Sequence, residues 1–469
     1  MKKNRFIFAT FLSILIYLIY LKLMNIYPFG EYSILKSDLY QQYVNFLCYL
    51  REIILNGKSM FISWNLGLGN NFFTTFAYYL MSPLNIGVIF FKPINMDIFV
   101  EILTFIKITL AVNFAIIYFE KVYKFKSLEV VLFGLIYGYS SYVICYSFHI
   151  MWLDSIYMLP LVLLFVDRFI ENGKILPYTI ALIYTILTNY YMGYIVAFFS
   201  GIYFLAKYFI NSDTANKQKH FMIFIKSLLK FLLGIAISFG IGMIVILPSI
   251  RQLGNKMSAS TNFIEIDVDK IRLFVNVLFN NYVYMFTQKS CLMFSSTLVL
   301  VLLPMYYLNK KISWKEKLSF TAIVLFLLLP IISPFLNRVW HAFTIPNCFN
   351  YRYSFVLIFT LIIMAFREYQ NRDGTSFKSF IFSFCVFSLL TILEIVSLSK
   401  GYLESDGYTV TLGSIALSSL IYIIMLILVF IINDSSKAKN IALIRNIFNC
   451  NCRLIDRCKK SDRIIMINT

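Results

Sequence analysis

The sequence predicts an all-α, polytopic integral membrane protein of about twelve transmembrane helices, and three observations carry that prediction. Apolar runs of about 15 to 22 residues recur from Phe6 to Ile432, close to the length a helix needs to cross a hydrocarbon core of about 30 Å. Only 14% of the 469 residues are charged and 59% are hydrophobic, with a mean hydropathy of +0.75. A water-soluble chain of this size carries about a quarter charged residues. The Lys and Arg residues behind the formal charge of +19 gather between particular apolar runs, as expected of cytoplasmic loops, which makes a nucleic-acid partner the weaker explanation. The 48 Phe and 33 Tyr, beside abundant Ile, Asn and Lys, read as the codon bias of an AT-rich genome, so aromatic-rich stretches are discounted as sugar platforms.

Taken in order, the predicted spans fall at 6–27, 98–119, 128–147, 155–170, 174–188, 192–209, 231–248, 292–308, 318–334, 351–366, 379–397 and 411–432. The first follows a basic opening but leads to no small-residue cleavage site, which predicts an uncleaved anchor rather than a signal peptide. Segment 77–91 is broken by Pro83, Asn85 and Gly87. At about 1.5 Å per residue it is too short to cross, and it reads as a re-entrant dip on the outer side. With that dip both termini are cytoplasmic, and inner segments hold 28 of the 42 basic residues against 12 in the longer outer ones. The expected organisation is one multi-helix membrane domain over 1–432 and a basic cytoplasmic tail, 433–469, suited to an anionic inner leaflet. Its extracytoplasmic regions are 28–97, 249–291 and a smaller 335–350. The eight cysteines show no framework spacing. Cys48 and Cys348 would face the exterior, where a bridge between them is one option; Cys450, Cys452 and Cys458 sit together in the tail without zinc-site spacing.

Since the inner loops are short or basic, chemistry is expected outside. Leu39, Tyr43, Phe46, Leu47, Leu50, Ile53 and Ile54 recur at helical spacing opposite Gln41, Gln42, Asn45 and Glu52, which predicts an amphipathic helix lying in the outer interface. Asp38 stands at its start. Followed by Gln three residues on, it reads either as a capping-box residue or as a carboxylate available for chemistry, with Tyr40, Gln41 and Gln42 beside it. Trp64-Asn65-Leu66-Gly67-Leu68-Gly69-Asn70-Asn71 is a glycine-rich loop whose amides, Asn65 and Asn70 among them, suit sugar hydroxyls; it lacks phosphate-loop spacing. His149 and Asp154 flank a loop with no basic residue to neutralise the acid, so Asp154 should face protein, water or a partner; their five-residue spacing does not suit a metal pair. Lys107, near the middle of 98–119, is read either as half of a buried ion pair or as a clamp on a lipid phosphate. Arg338, His341 and Arg352 bring positive charge to an outer boundary, where arginine suits phosphate and interfacial anchoring is the alternative.

These pieces occur in an order that resembles the YfhO family of bacterial membrane proteins. The matching stretches are Asp38-Leu39-Tyr40-Gln41-Gln42-Tyr43, Trp64-Asn65-Leu66-Gly67-Leu68-Gly69-Asn70, Tyr79-Leu80-Met81-Ser82-Pro83-Leu84-Asn85, Trp152-Leu153-Asp154 and Pro346-Asn347-Cys348-Phe349-Asn350-Tyr351-Arg352-Tyr353-Ser354-Phe355. The resemblance implies a GT-C-type glycosyltransferase in the plasma membrane of a Gram-positive bacterium. It implies transfer of a sugar from a polyprenyl-phosphate donor to an envelope polymer such as teichoic acid, with no cofactor and no metal. It places Asp38 where such enzymes carry an acidic residue in the first outer loop. The expected mechanism is inverting: Asp38 takes the proton of the acceptor hydroxyl, and Arg352, helped by Arg338 or Lys107, steadies the departing phosphate. A transporter or flippase for a lipid-linked glycan is the alternative, and it would call for broken helices and midplane charges.

Overall fold

A computed structural model of the chain describes residues 2–66, 69–211, 217–253, 291–344, 346, 349–399, 404–405, 408–409 and 412–434. Gly67 and Leu68, most of the expected second outer region, Asn347 and Cys348, and the basic tail with its three cysteines lie outside the described residues. The helices are α1 (Lys2–Leu23), α2 (Val44–Asn56), α3 (Phe72–Tyr79), α4 (Met96–Val122), α5 (Glu129–Gly138), α6 (Ser141–Cys145), α7 (Leu153–Asn172) and α8 (Leu176–Thr188). They continue with α9 (Tyr190–Ile210), α10 (Lys217–Leu253), α11 (Thr297–Leu308), α12 (Trp314–Ile332), α13 (Pro334–Trp340), α14 (Ser354–Gln370), α15 (Phe377–Ser399) and α16 (Leu412–Asp434). Among the described residues strand is confined to two antiparallel two-residue pairs, β1 (Ile62–Ser63) with β2 (Asn70–Asn71) and β3 (Glu404–Ser405) with β4 (Tyr408–Thr409). The protein is an all-α polytopic membrane protein.

Each of the twelve predicted spans coincides with helix, but they are not alike. Among the described residues six helices are long and apolar enough to cross alone: 4–23, 93–122, 190–210, 221–251, 377–396 and 415–433. Two more crossings are reached if each sharply bent pair counts as one, giving eight. The apolar stretches 129–145, 176–188 and 297–308 are shorter, and α7 carries Asp154, Asp167, Arg168 and Glu171. Such helices tolerate brevity and charge because protein surrounds them; α5 is buried along its whole length and α7 along most of it. The segment expected to dip is one of the bent pairs: α3 and the 3₁₀ turns Pro83–Phe90 meet at 108°. The other joins α12 to α13 at 115°.

The chain forms two compact units, Met1–Lys124 with Tyr146–Ser258, and Phe125–Cys145 with Ala259–Thr469. In the first unit α4 and α7 pack along each other, and α1 lies on α4. Ile7, Phe11, Ile14 and Leu18 form an exposed stripe on α1, one turn apart, as a lipid-facing surface requires. The opposite face carries Ser13, bonded to Thr109 at 3.1 Å, and Arg5, paired with Glu120. Helices α8, α9 and α10 converge on Ile186 because Gly193 and Gly242 carry no side chain there. A Cβ at either would stand 2.7 or 2.5 Å from Ile186 atoms. Asn189 closes this group with both ends of its amide: Oδ1 accepts the Met192 N–H to cap α9, and Nδ2 donates to the Tyr78 carbonyl at 3.0 Å. In the second unit α11 packs on α14, α15 and α16, while α5 and α6 lie on α14. The Arg367 guanidinium there grips both oxygens of Glu316, at 2.6 and 2.8 Å.

Candidate functional site

The expected amphipathic helix begins as a π-helical turn, Leu39–Tyr43, that runs directly into α2. Leu39, Tyr43, Leu47 and Leu50 form its buried face, whereas Ile54 and Leu55 near its end are exposed. The capping reading of Asp38 does not hold. An N-cap residue needs extended backbone to turn its side chain onto the free amides, but Asp38 is already helical at φ −55°, ψ −29° and makes no side-chain cap bond. Its carboxylate instead accepts from Gln42 Nε2 and Tyr43 Oη, each at 3.4 Å. Residues five apart meet because the π-turn is wound wider than an α-helix, a local distortion found disproportionately at functional sites. The preceding Ser37 has φ +48°, a left-handed conformation that is unfavourable outside glycine and Asn. Tyr40 and Gln41 point outward and are exposed, Tyr40 by 66%.

Tyr43 links this acid to the interior of the unit. Its ring packs on Tyr79 at 5.2 Å, and its hydroxyl lies 2.9 Å from Nδ1 of His149. Burial, then the charge of Asp38, pushes the Tyr43 hydroxyl far above the usual phenol range, so it stays neutral. His149 is itself buried and stacks on Trp152 at 4.0 Å.

Asp154, five residues further, is fully enclosed. One oxygen accepts Ser82 Oγ at 2.6 Å and Tyr157 Oη at 2.7 Å; the other is paired with Lys107. Lys107 also donates to the Ile150 carbonyl at 2.9 Å, and Tyr157 continues to Tyr184 at 2.6 Å. The missing neutraliser of Asp154 thus comes from α4, not from its own loop. Of the two readings of Lys107 the buried ion pair is the one found: Lys107 and Asp154 are turned to each other rather than to an outer cavity, because an unpaired charge at that depth is costly. Through Ser82 the pair also fastens the bent segment after α3 to α4 and α7.

The glycine-rich stretch is the tip of the β1–β2 hairpin. Asn65 and Asn70 are exposed there, and Trp64, 79% exposed, lays its ring over Gly69, which has φ +105°. Asn71 caps α3 through a bond from the Phe73 amide. Among the described residues Cys48 has no disulfide partner, and a bridge to Cys348 lies outside them.

Arg338, His341 and Arg352 belong to the second unit. Trp340 stacks on Tyr353 at 4.9 Å, His341 Nδ1 donates to the Asn337 carbonyl at 2.6 Å, and Tyr142 Oη donates to the Arg352 carbonyl at 2.6 Å. A carbonyl only accepts, so the Nδ1–H tautomer is required. Burial pushes His341 down to about 4, and the Arg352 charge adds to that shift. Ala342, Phe343 and Phe349 all have positive φ, so this loop too is held in strained backbone. Among the described residues no three His, Cys, Asp or Glu side chains gather as a metal site would need.

Sequence reasoning gave no site role to Tyr43, Ser82, Tyr157 or Tyr184, which supply the hydroxyls around Asp38, His149 and Asp154. Reading the tyrosines as codon bias hid them; a buried acid without a basic neighbour in its own loop was the available signal that hydroxyl donors must lie nearby. No curated protein and no solved structure matches the chain. The family model described as "Bacterial membrane protein YfhO" matches residues 9–458, nearly the whole length, and the chain is therefore a member of the YfhO family.

Proposed function

We propose that this YfhO-family protein is a GT-C-type glycosyltransferase that moves a sugar from a polyprenyl-phosphate donor to an envelope polymer such as teichoic acid, on the outer face of the membrane. The observation that carries the reading is the state of Asp38: a part-exposed carboxylate, released from helix capping and steadied by two long contacts. Such a group is available to an incoming hydroxyl. The acceptor oxygen bonds to the anomeric carbon while Asp38 takes its proton, and the sugar–phosphate bond breaks with its electron pair leaving on polyprenyl phosphate. A phosphate leaves without a general acid, so one carboxylate suffices. Arg338, His341 and Arg352 enter no step of this reading.

A second reading, transport of a lipid-linked glycan, is favoured by the bent helix pairs and the buried Lys107–Asp154 pair, both features of transporters. One experiment separates the two. Purified protein in liposomes receives labelled polyprenyl-phosphate hexose and a teichoic acid acceptor, and both sugar incorporation and lipid movement between leaflets are followed. Transfer that falls by about 10²–10⁴-fold in Asp38→Asn, at equal protein content, is the expected result. Leaflet exchange without sugar incorporation supports the transport reading, and transfer unchanged in Asp38→Asn removes Asp38 from the reaction.

A further inference from the structure

We propose that His149, acting through the Tyr43 hydroxyl, is the positioning residue and proton store for Asp38, the three groups forming a relay that restores the carboxylate after each transfer. The inference rests on the reading of Asp38 as the base.

Tyr43 Oη lies between two acceptors, Asp38 Oδ2 at 3.4 Å and His149 Nδ1 at 2.9 Å. A hydroxyl has one proton and serves one acceptor at a time. While Asp38 is ionised the proton is given to its carboxylate. Once Asp38 is protonated and can donate in its turn, the shorter contact takes the Tyr43 proton to Nδ1, where a neutral His149 accepts it. When Asp38 takes the proton of the acceptor hydroxyl, it can donate to Tyr43 Oη as Oη gives its own proton to Nδ1. The products are a carboxylate at Asp38, an intact hydroxyl at Tyr43 and an imidazolium at His149. Atoms and charge balance, and no tyrosinate forms. After the products leave, the same path runs backward and releases the proton to water at Asp38.

The surroundings suit an imidazolium. The ring lies against Trp152 at 4.0 Å with 24° between planes, against Phe148 at 4.0 Å, and near Tyr146, and an aromatic face stabilises a cation. Asp154, the charge closest along the chain, is paired with Lys107, and Lys36 lies over the ring of Phe148. The π-turn supplies the geometry, since Asp38 and Tyr43 would not meet at α-helical spacing.

The chain has three histidines, so ¹⁵N-histidine labelling of the whole protein in nanodiscs gives three ring systems to follow, and His149→Gln identifies the one of interest. The relay predicts that Asp38→Asn lowers the titration midpoint of His149 by about one pH unit, through loss of a negative charge at that range. Tyr43→Phe, which keeps the ring packed on Tyr79, is expected to move the Nδ1 resonance away from its hydrogen-bonded value. In the liposome transfer assay, Tyr43→Phe and His149→Gln are expected to slow transfer about tenfold and to move the acid limb of the pH profile to lower pH, where only Asp38 itself is protonated. A His149 titration unaltered in both Asp38→Asn and Tyr43→Phe overturns the relay, as does an acid limb that keeps its wild-type position in Tyr43→Phe. The labelling arm needs no turnover, so a protein that transfers no sugar yet shows the coupled titration sinks the glycosyltransferase reading and leaves the hydrogen-bonded chain standing.

Discussion

Asp38 and Asp154 are both acids of the first unit, and the protein treats them in opposite ways. Asp154 is fully enclosed and held by Ser82, Tyr157 and Lys107. Asp38 is part-exposed, and its contacts to Gln42 and Tyr43 are each 3.4 Å long. A buried charge survives only when every lone pair and its charge are answered, and once answered it is structural. A charge that keeps its access to water needs little support, and so can be spent on a reacting hydroxyl. On the proposed reading, the contrast gives stability to one carboxylate and leaves the other to chemistry.

The contrast breaks most readily at Lys107. Lys107→Met strands Asp154 without its counter-charge and should cost about 3–5 kcal/mol, read as a lowered thermal midpoint in detergent; the double variant with Asp154→Leu should recover much of the loss. Asp38→Asn in the same melts should stay within about 1 kcal/mol of wild type, and a loss as large as that of Lys107→Met would show that both acids are structural. A smaller effect extends the comparison to the second unit, where His341 is buried in its neutral form. The unfolded chain takes up a proton at this side chain near 6.5, the folded one near about 4, so the contribution to stability is complete above 6.5 and is lost as pH falls toward 4. That loss amounts to up to about 3 kcal/mol, and His341→Asn, which keeps a donor for the Asn337 carbonyl, should flatten it in pH-resolved melts. Smallest is Ser82→Ala: it removes one of several donors to Asp154 and should cost about 1–2 kcal/mol without altering the amount of protein in the membrane.

How much of this was readable beforehand follows from what each signal depends on. Hydropathy marked twelve stretches that coincide with helix, since it depends on local composition, but it did not mark α3 or α13, which are short and lie in regions read as outer loops. The interruption at Pro83, Asn85 and Gly87 likewise marked the place where α3 ends and the chain turns. The partner of Lys107 was not legible, because its choice between ion pair and phosphate clamp is made by Asp154, 47 positions away. The capping alternative for Asp38 fails for a more local reason: the spacing to Gln41 fits a capping box, but the left-handed Ser37 and the π-turn put Asp38 inside the helix rather than ahead of it. Arg338, His341 and Arg352 were found as a charged boundary, while the enclosure of His341 came from Trp340 and Tyr353, whose stacking no periodicity announces.

Asn189 carries a consequence of its own. One carboxamide both starts a helix and secures a carbonyl of the bent segment, with its oxygen committed to the first task and its nitrogen to the second. Aspartate there would keep the cap and set two oxygens against each other, whereas serine would keep the cap and fall short of Tyr78. In surroundings without water to take over either group, the position admits a carboxamide alone, and the seam between rigid bundle and broken helix hangs on a side chain that no hydropathy scale would single out.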